Sequence, residues 1–398
     1  MYEIIFRFYG LIHRYIKLIL KRNCQEKRNR FYMTEQMSIG IKEQEIDLWQ
    51  YFIDNSTISE KGYFTGLHYA GYISEKKEWC LTSWIWTNAA IVRMYCVQND
   101  VVEAEKIAKI LESWQTESGG WIVRNDYDSN GAIPVLAPND SSYIANNAFI
   151  TLYKKTKDSK YLNIAKDCAD WVMQTSRVDG MVYTGYNMRD QNWIKDNIIV
   201  DVGFTAGLFA SLYEITKEEK YRAFLEKFIY RYIELFYNPI LKAFCTSIDK
   251  NDKQQGGLFG RGQAWALEGL IPAYKVLGQE NIKHIIEDTI KNLIKLQCKD
   301  GSWSYNLAKP LMGRDCKGVP IIAKNMMEWY LLNPLPEIKE SAMKAYKWCL
   351  DHTCNKGEAL GGIFSYSVEG AIVKDLYTSC AFVYSSAYAI ELHKVLML

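Results

Sequence analysis

An all-α fold, an (α/α)6 toroid of six helical hairpins, is what this chain predicts, and three observations lead to it. A turn centred on Gly62, Gly120, Gly180, Lys242, Gly301 and Gly362 recurs at intervals of 58, 60, 62, 59 and 61 residues. Between the turns, charged helical segments alternate with segments rich in small residues. The length, 398 residues, matches six such units. Repeats of roughly 20 to 50 residues usually stack into open solenoids. A unit of about sixty instead holds two helices and two turns, and six units can close on themselves as one domain.

Residues 1–30 precede the repeat, which occupies residues 31–398 as a single domain. In MYEIIFRFYGLIHRYIKLILKR (1–22), Glu3, Arg7, Gly10, Arg14, Lys17 and Lys21 form a narrow polar stripe at helical spacing, and the remaining faces are apolar. Charges recur too often for a spanning helix. Glu3 stands where a secretory signal has its basic region, and no small-residue cleavage site follows. A basic, aromatic amphipathic helix suits a membrane surface, so the expectation is a cytoplasmic protein, peripheral at the inner face of the membrane. Packing of this helix against the toroid, or a degenerate secretory signal, is the alternative.

Outer helices are expected at 103–116, 161–174, 221–236, 284–297 and 339–352, where apolar residues recur at helical spacing against Lys and Glu. Inner helices are expected at 141–154, 202–215, 262–277, 320–332 and 378–395. These carry Ala, Gly and Ser on several faces, as helices crowded from both sides must. WQTESGGW (114–121) and LQCKDGSW (296–303) set a Gln ahead of a Trp across a glycine. Such a turn ends the outer helix in a left-handed residue and folds the indole back over it. Protonating terpene cyclases have similar Gln-Trp motifs, but their acidic DxDD motif is absent from this chain.

Net charge is +2, which leaves no global field to attract nucleic acid. The 28 Tyr and 12 Trp suit stacking on sugar faces, and equally an aromatic helical core. Ten cysteines fall at irregular intervals with no CxxC pair, which reads as reduced thiols rather than a disulfide frame. Five histidines without metal-ligand spacing imply no zinc site. No metal and no cofactor are expected.

In a toroid of this period, residues of equal phase lie at one end and can meet around the axis. Asp140 precedes SSYIANNAFITLY, Asp201 precedes VGFTAGLFASLY 61 residues later, and Arg261 opens GQAWALEGLIPAY another 60 on. Tyr377 and Thr378 occupy the matching place in the last unit. Two carboxylates and a guanidinium therefore share one mouth. Either Asp alone reads as a helix N-cap. Two carboxylates in one crevice cannot both ionise easily, so one pKa should rise and that residue can serve as a general acid near neutral pH. Arg261 could clamp a carboxylate, Gln263 could bond a hydroxyl or a water, and Trp265 offers a stacking face. Tyr183, Tyr186, Trp193, Trp303 and Tyr305 would line the mouth as sugar platforms.

RGQAWAL (261–267), with NDSSYIANNAF (139–149) and VDVGFTAGLFASLY (200–213), resembles the six-hairpin glycosidases of glycoside hydrolase families 88 and 105, over roughly residues 45–398. These are unsaturated glucuronyl and rhamnogalacturonyl hydrolases. The resemblance implies an (α/α)6 toroid and a metal-free reaction on oligosaccharides ending in an unsaturated uronic acid. An Asp protonates the C4=C5 bond, water adds at C5, and the hemiketal collapses. Asp201 would then be the acid and base and Asp140 its partner, with Arg261, Gln263 and Trp265 supporting the sugar. The family's histidine-containing segments near the aspartates have no histidine here. Two further classes share the architecture. One is a polysaccharide-biosynthesis enzyme, such as a uronosyl epimerase. The other is a non-catalytic carbohydrate-binding barrel in which Asp140 and Asp201 only cap helices.

Overall fold

A computed structural model describes residues 44–73, 76–80, 82–123, 134–309, 313–367 and 378–398. The amphipathic segment 1–22 and Tyr377 lie outside them. Six hairpins follow in chain order. Outer helix α1 (Gln44–Asn55) precedes inner helix α2 (Ile85–Val97). Outer α3 (Val101–Ser113) precedes inner α4 (Pro138–Ile144), which runs through a π turn (Ala145–Ile150) into α5 (Thr151–Thr156). Then come α6 (Ser159–Thr175) with α7 (Phe204–Thr216), α8 (Glu219–Phe236) with α9 (Gly260–Leu277), α10 (Glu280–Leu296) with α11 (Gly318–Tyr330), and α12 (Pro336–Asp351) with α13 (Val383–Leu396). None of the described helices is long and apolar enough to cross a membrane.

The two kinds of helix bury themselves differently because of their composition. On α10, Ile282, Ile286, Thr289, Ile290 and Leu293 form one buried stripe opposite a charged face. On α7 every residue from Phe204 to Leu212 is buried. The inner helices pack in sequence, α2 on α4, α4 on α7, α7 on α9, α9 on α11 and α11 on α13. Helix α13 then returns to α2, so the inner ring is complete.

The turns work as their sequence suggests. Gly119, Gly180, Lys242, Gly301 and Gly361 have positive φ, one residue earlier than expected in the second and sixth turns. In the first unit the left-handed residue is Gly66 rather than Gly62. Only glycine fits the last turn: a Cβ on Gly361 would stand 1.7 Å from the Leu48 carbonyl oxygen of α1, a contact that also ties the sixth hairpin to the first. Gln115 donates to the Gly119 carbonyl (2.8 Å) and to Ile164 O of the next outer helix (3.0 Å). Gln297 repeats this with Gly301 and Ser341. The following indoles fold back, with Trp121 Nε1 donating to Leu111 O and Trp303 Nε1 to Leu293 O.

Short antiparallel strands fill the loops at the end where inner helices begin. Val135–Leu136 pairs with Gly185–Asn187, which pairs in turn with Asn192–Ile194, Tyr186 facing Trp193. Thr378–Phe382 is a strand rather than the start of the last inner helix, pairing with Gly71–Ile73 so that Tyr72 faces Ala381. The hydrogen bonds it gains across the first and last units outweigh its helical pattern.

Candidate active site

The strand Val135–Leu136 leads straight into α4, and Asp140 is the third residue of that helix. Ile198–Ile199 leads into a 3-10 turn, Val200–Gly203, that holds Asp201 and opens α7. Neither aspartate is an N-cap: Ala137 occupies that place before α4, with Pro138 at the first helical position, and Ile199 before the 3-10 turn.

Both aspartates are partly exposed, yet ringed closely by protein. Burial pushes the pKa of Asp140 well up, and the negative charge of Asp201 raises it further. Burial also lifts Asp201, to about 7, against the pull of hydrogen bonds from the Asn139 side chain and from the backbone N–H groups of Asp201 and Val202. Asp201 Oδ1 is buried and accepts no hydrogen bond, so ionising this group leaves charge on an unsolvated oxygen. The donors around Asp201 make it the first of the pair to lose its proton. Asp140 therefore stays neutral while Asp201 titrates near pH 7, the range in which a group can both give and retake a proton.

Trp265 is partly exposed on the next inner helix, edge-on to Phe204 (5.9 Å between centroids) and to Phe259 (5.3 Å). Arg261 sits over the faces of Phe259, Trp265 and Tyr305. It is not an open clamp: it is 6% exposed and pairs with Asp315, Nη1 to Oδ1, at 3.1 Å. Gln263, 1% exposed, has no spare capacity for a sugar. Its Oε1 accepts from Phe244 N (2.7 Å) and its Nε2 donates to the carbonyls of Phe244 and Phe259, so it fastens α9 to the loop before it. Trp303, 1% exposed, cannot be a platform either, because its indole is the one folded back on α10. Tyr183, Tyr186 and Trp193 remain partly exposed as a cluster. Trp193 stacks on Tyr183 at 5.1 Å and meets Tyr186 edge-on at 5.2 Å, on the hairpin whose flanking strands lead to Asp140 and Asp201.

Phase reading missed several residues of this end. Asn139 lies next to Asp140 in NDSS, and the Asp315–Lys317 stretch occupies the fifth unit, where the interval from Arg261 is shorter than sixty. Lys317 packs its ammonium over Trp84 (4.6 Å) and Phe382 (4.2 Å). Deeper on the axis, Tyr143 meets Tyr388 Oη to Oη at 2.7 Å, and Tyr388 donates to Glu268 at 2.6 Å. Arg93 bridges Glu268 (3.2 Å) and Glu391 (3.0 Å), and Lys324 pairs with Glu328. Arg93, Glu268 and Glu391 sit on three different inner helices, α2, α9 and α13, where no local pattern announces that they converge.

A ring of six helical hairpins with a proton-holding pair of aspartates at one mouth defines a six-hairpin glycosidase. The description of Glycosyl Hydrolase Family 88 matches residues 68–391. The chain belongs to that family and is a glycoside hydrolase. No curated protein matches it in sequence. Among solved structures it is similar to the unsaturated glucuronyl hydrolase of Bacillus sp. GL1, with 16% identity and a TM-score of 0.66 over 88% of this chain and 95% of that one. A possible family 105 member from Salmonella enterica serovar Paratyphi A shares 15% identity, with a TM-score of 0.64 over 91% and 96%. A sugar epimerase from a ruminal bacterium shares 15%, with a TM-score of 0.68 over 93% and 98%. At these identities the likeness is one of fold.

Proposed function

We propose that the chain hydrolyses oligosaccharides that end in an unsaturated uronic acid, by hydration of the C4=C5 bond. The pair of aspartates carries this reading, since a carboxyl that titrates near pH 7 beside one that stays neutral suits an acid that must protonate carbon and then accept a proton from water. Asp201 gives its proton to C4, and positive charge develops at C5 and the ring oxygen. Water adds at C5 while the Asp201 carboxylate takes its proton, so the residue ends as it began. The hemiketal then opens and the leaving sugar departs with its own oxygen. Asp140, neutral, donates a hydrogen bond and keeps a second negative charge away from Asp201.

Trp265 flanks the reacting ring, and the Tyr186–Trp193 hairpin supports the sugar beyond it. The family, and the chemistry of the mouth, favour this over epimerisation. Among the described residues, His393 is the one histidine on an inner helix, and it is buried against the Tyr346 hydroxyl at 2.6 Å in the last turns of α13, away from the aspartates. The test is loss of the C4=C5 ultraviolet absorbance in a panel of unsaturated uronyl disaccharides. Wild type should remove it and Asp201→Asn should not; retention of the absorbance with every wild-type incubation would reject the reading.

A further inference from the structure

A cavity of about 730 Å³ opens in the outer wall, lined by α1 and the loop after it, the end of α2 and the length of α3, and by none of the residues of the mouth. His68 is part of its lining and is 3% exposed. Its Nδ1 lies 3.0 Å from the Ile53 carbonyl and 3.0 Å from Ser56 Oγ, while Ser56 Oγ itself donates to Ile53 O. A carbonyl only accepts, so the proton resides on Nδ1 and Nε2 presents a lone pair. That nitrogen makes no hydrogen bond among the described residues. Burial pushes the imidazole pKa down to about 4, which keeps it neutral and Nε2 an acceptor.

The neighbouring groups are spent in one direction only. Gln50 Nε2 donates to Asp54 Oδ1 (2.8 Å) and Tyr95 Oη (3.0 Å), and Tyr95 donates to the same Asp54 oxygen at 2.9 Å. The donors of Gln50 and Tyr95 are thereby consumed, while the Thr57 hydroxyl and the Gln98 amide also line the wall. Asp100 and Glu103 add two more carboxylates, and Lys106, the one cation of the lining, is paired with Glu103. A cavity rich in acceptors and net negative selects a ligand of the opposite kind.

We propose that this cavity is a second binding site, for a protonated amine that also carries hydroxyl donors, the chemistry of an amino sugar. The ammonium is received by Asp54, and a hydroxyl by His68 Nε2. The volume admits one or two sugar rings. An anionic uronate is excluded by sign, so the ligand differs from that of the mouth.

Isothermal titration of the full chain with D-glucosamine, D-glucose and D-glucuronate tests this. Glucosamine should bind saturably at one site, glucose at least about tenfold more weakly, and glucuronate not at all. Asp54→Asn, an exposed position on α1, should weaken glucosamine about tenfold and leave hydrolysis at the mouth unchanged. Absent glucosamine binding, equal binding of glucose or glucuronate, or affinity indifferent to Asp54→Asn would each overturn the proposal.

Discussion

Replacing Asp201 with Asn should abolish turnover and at the same time make the protein more stable in alkali. The folded-state pKa of Asp201 rises from 3.8 to about 7. A carboxyl with a raised folded pKa contributes stability that is complete below the unfolded value near 4 and is lost as pH climbs through 7. Converted at 1.36 kcal/mol per unit, keeping this carboxylate ionised in the fold costs about 4 kcal/mol above pH 7. Asn has the same shape and no charge. Its amide oxygen can accept from Asn139 and Val202, and its NH2 can face Asp140. The variant should therefore gain on the order of 4 kcal/mol at pH 8.5 and less than half of that at pH 5. For a chain of 398 residues the alkaline gain is about 5 °C in melting temperature. Thermal melts of both proteins at the two pH values give the comparison. A difference that does not change with pH, or a variant less stable than wild type at pH 8.5, would refute the argument that burial of this carboxylate poises it for proton transfer.

Other consequences are open to direct measurement. Because Asp201 must start protonated, kcat/KM on an unsaturated disaccharide should fall about tenfold per pH unit above roughly pH 7; a rate that keeps rising to pH 9 would assign the proton to another group. Trp193→Ala should raise KM about fivefold with little change in kcat, as expected for loss of about 1 kcal/mol of sugar stacking. Gly301 has φ +90 and a Cβ there would stand 2.3 Å from the Lys344 carbonyl oxygen, so Gly301→Ala should destabilise by roughly 2 kcal/mol or more in urea unfolding without shifting the pH profile. The stripe in residues 1–22 predicts that wild type floats with anionic liposomes and that deletion of residues 1–30 ends this; identical flotation of the two would count against surface attachment.

What could be read without coordinates was whatever repeats or lies close in the chain. The sixty-residue period, the charged outer and small-residue inner helices and the Gln–glycine–Trp turns all express local spacing, and they define the toroid. Equal phase also placed Asp140 and Asp201 at one mouth, since position within a repeat becomes position along the axis once the ring forms. Tertiary structure decided which of the remaining candidates have anything left to offer a sugar. Arg261 already has Asp315, 54 residues along the chain, Gln263 already satisfies three backbone groups of Phe244 and Phe259, and the Trp303 indole is turned inward onto Leu293, so none of the three is left free at the mouth. The same holds for the proton. A carboxyl's affinity for it depends on how much water its neighbours displace and how many donors they bring, and for Asp201 those neighbours include Asn139, 62 residues away in sequence. Local pattern settles where a helix begins; only the closed packing of six hairpins determines which groups are left unpaired at its end.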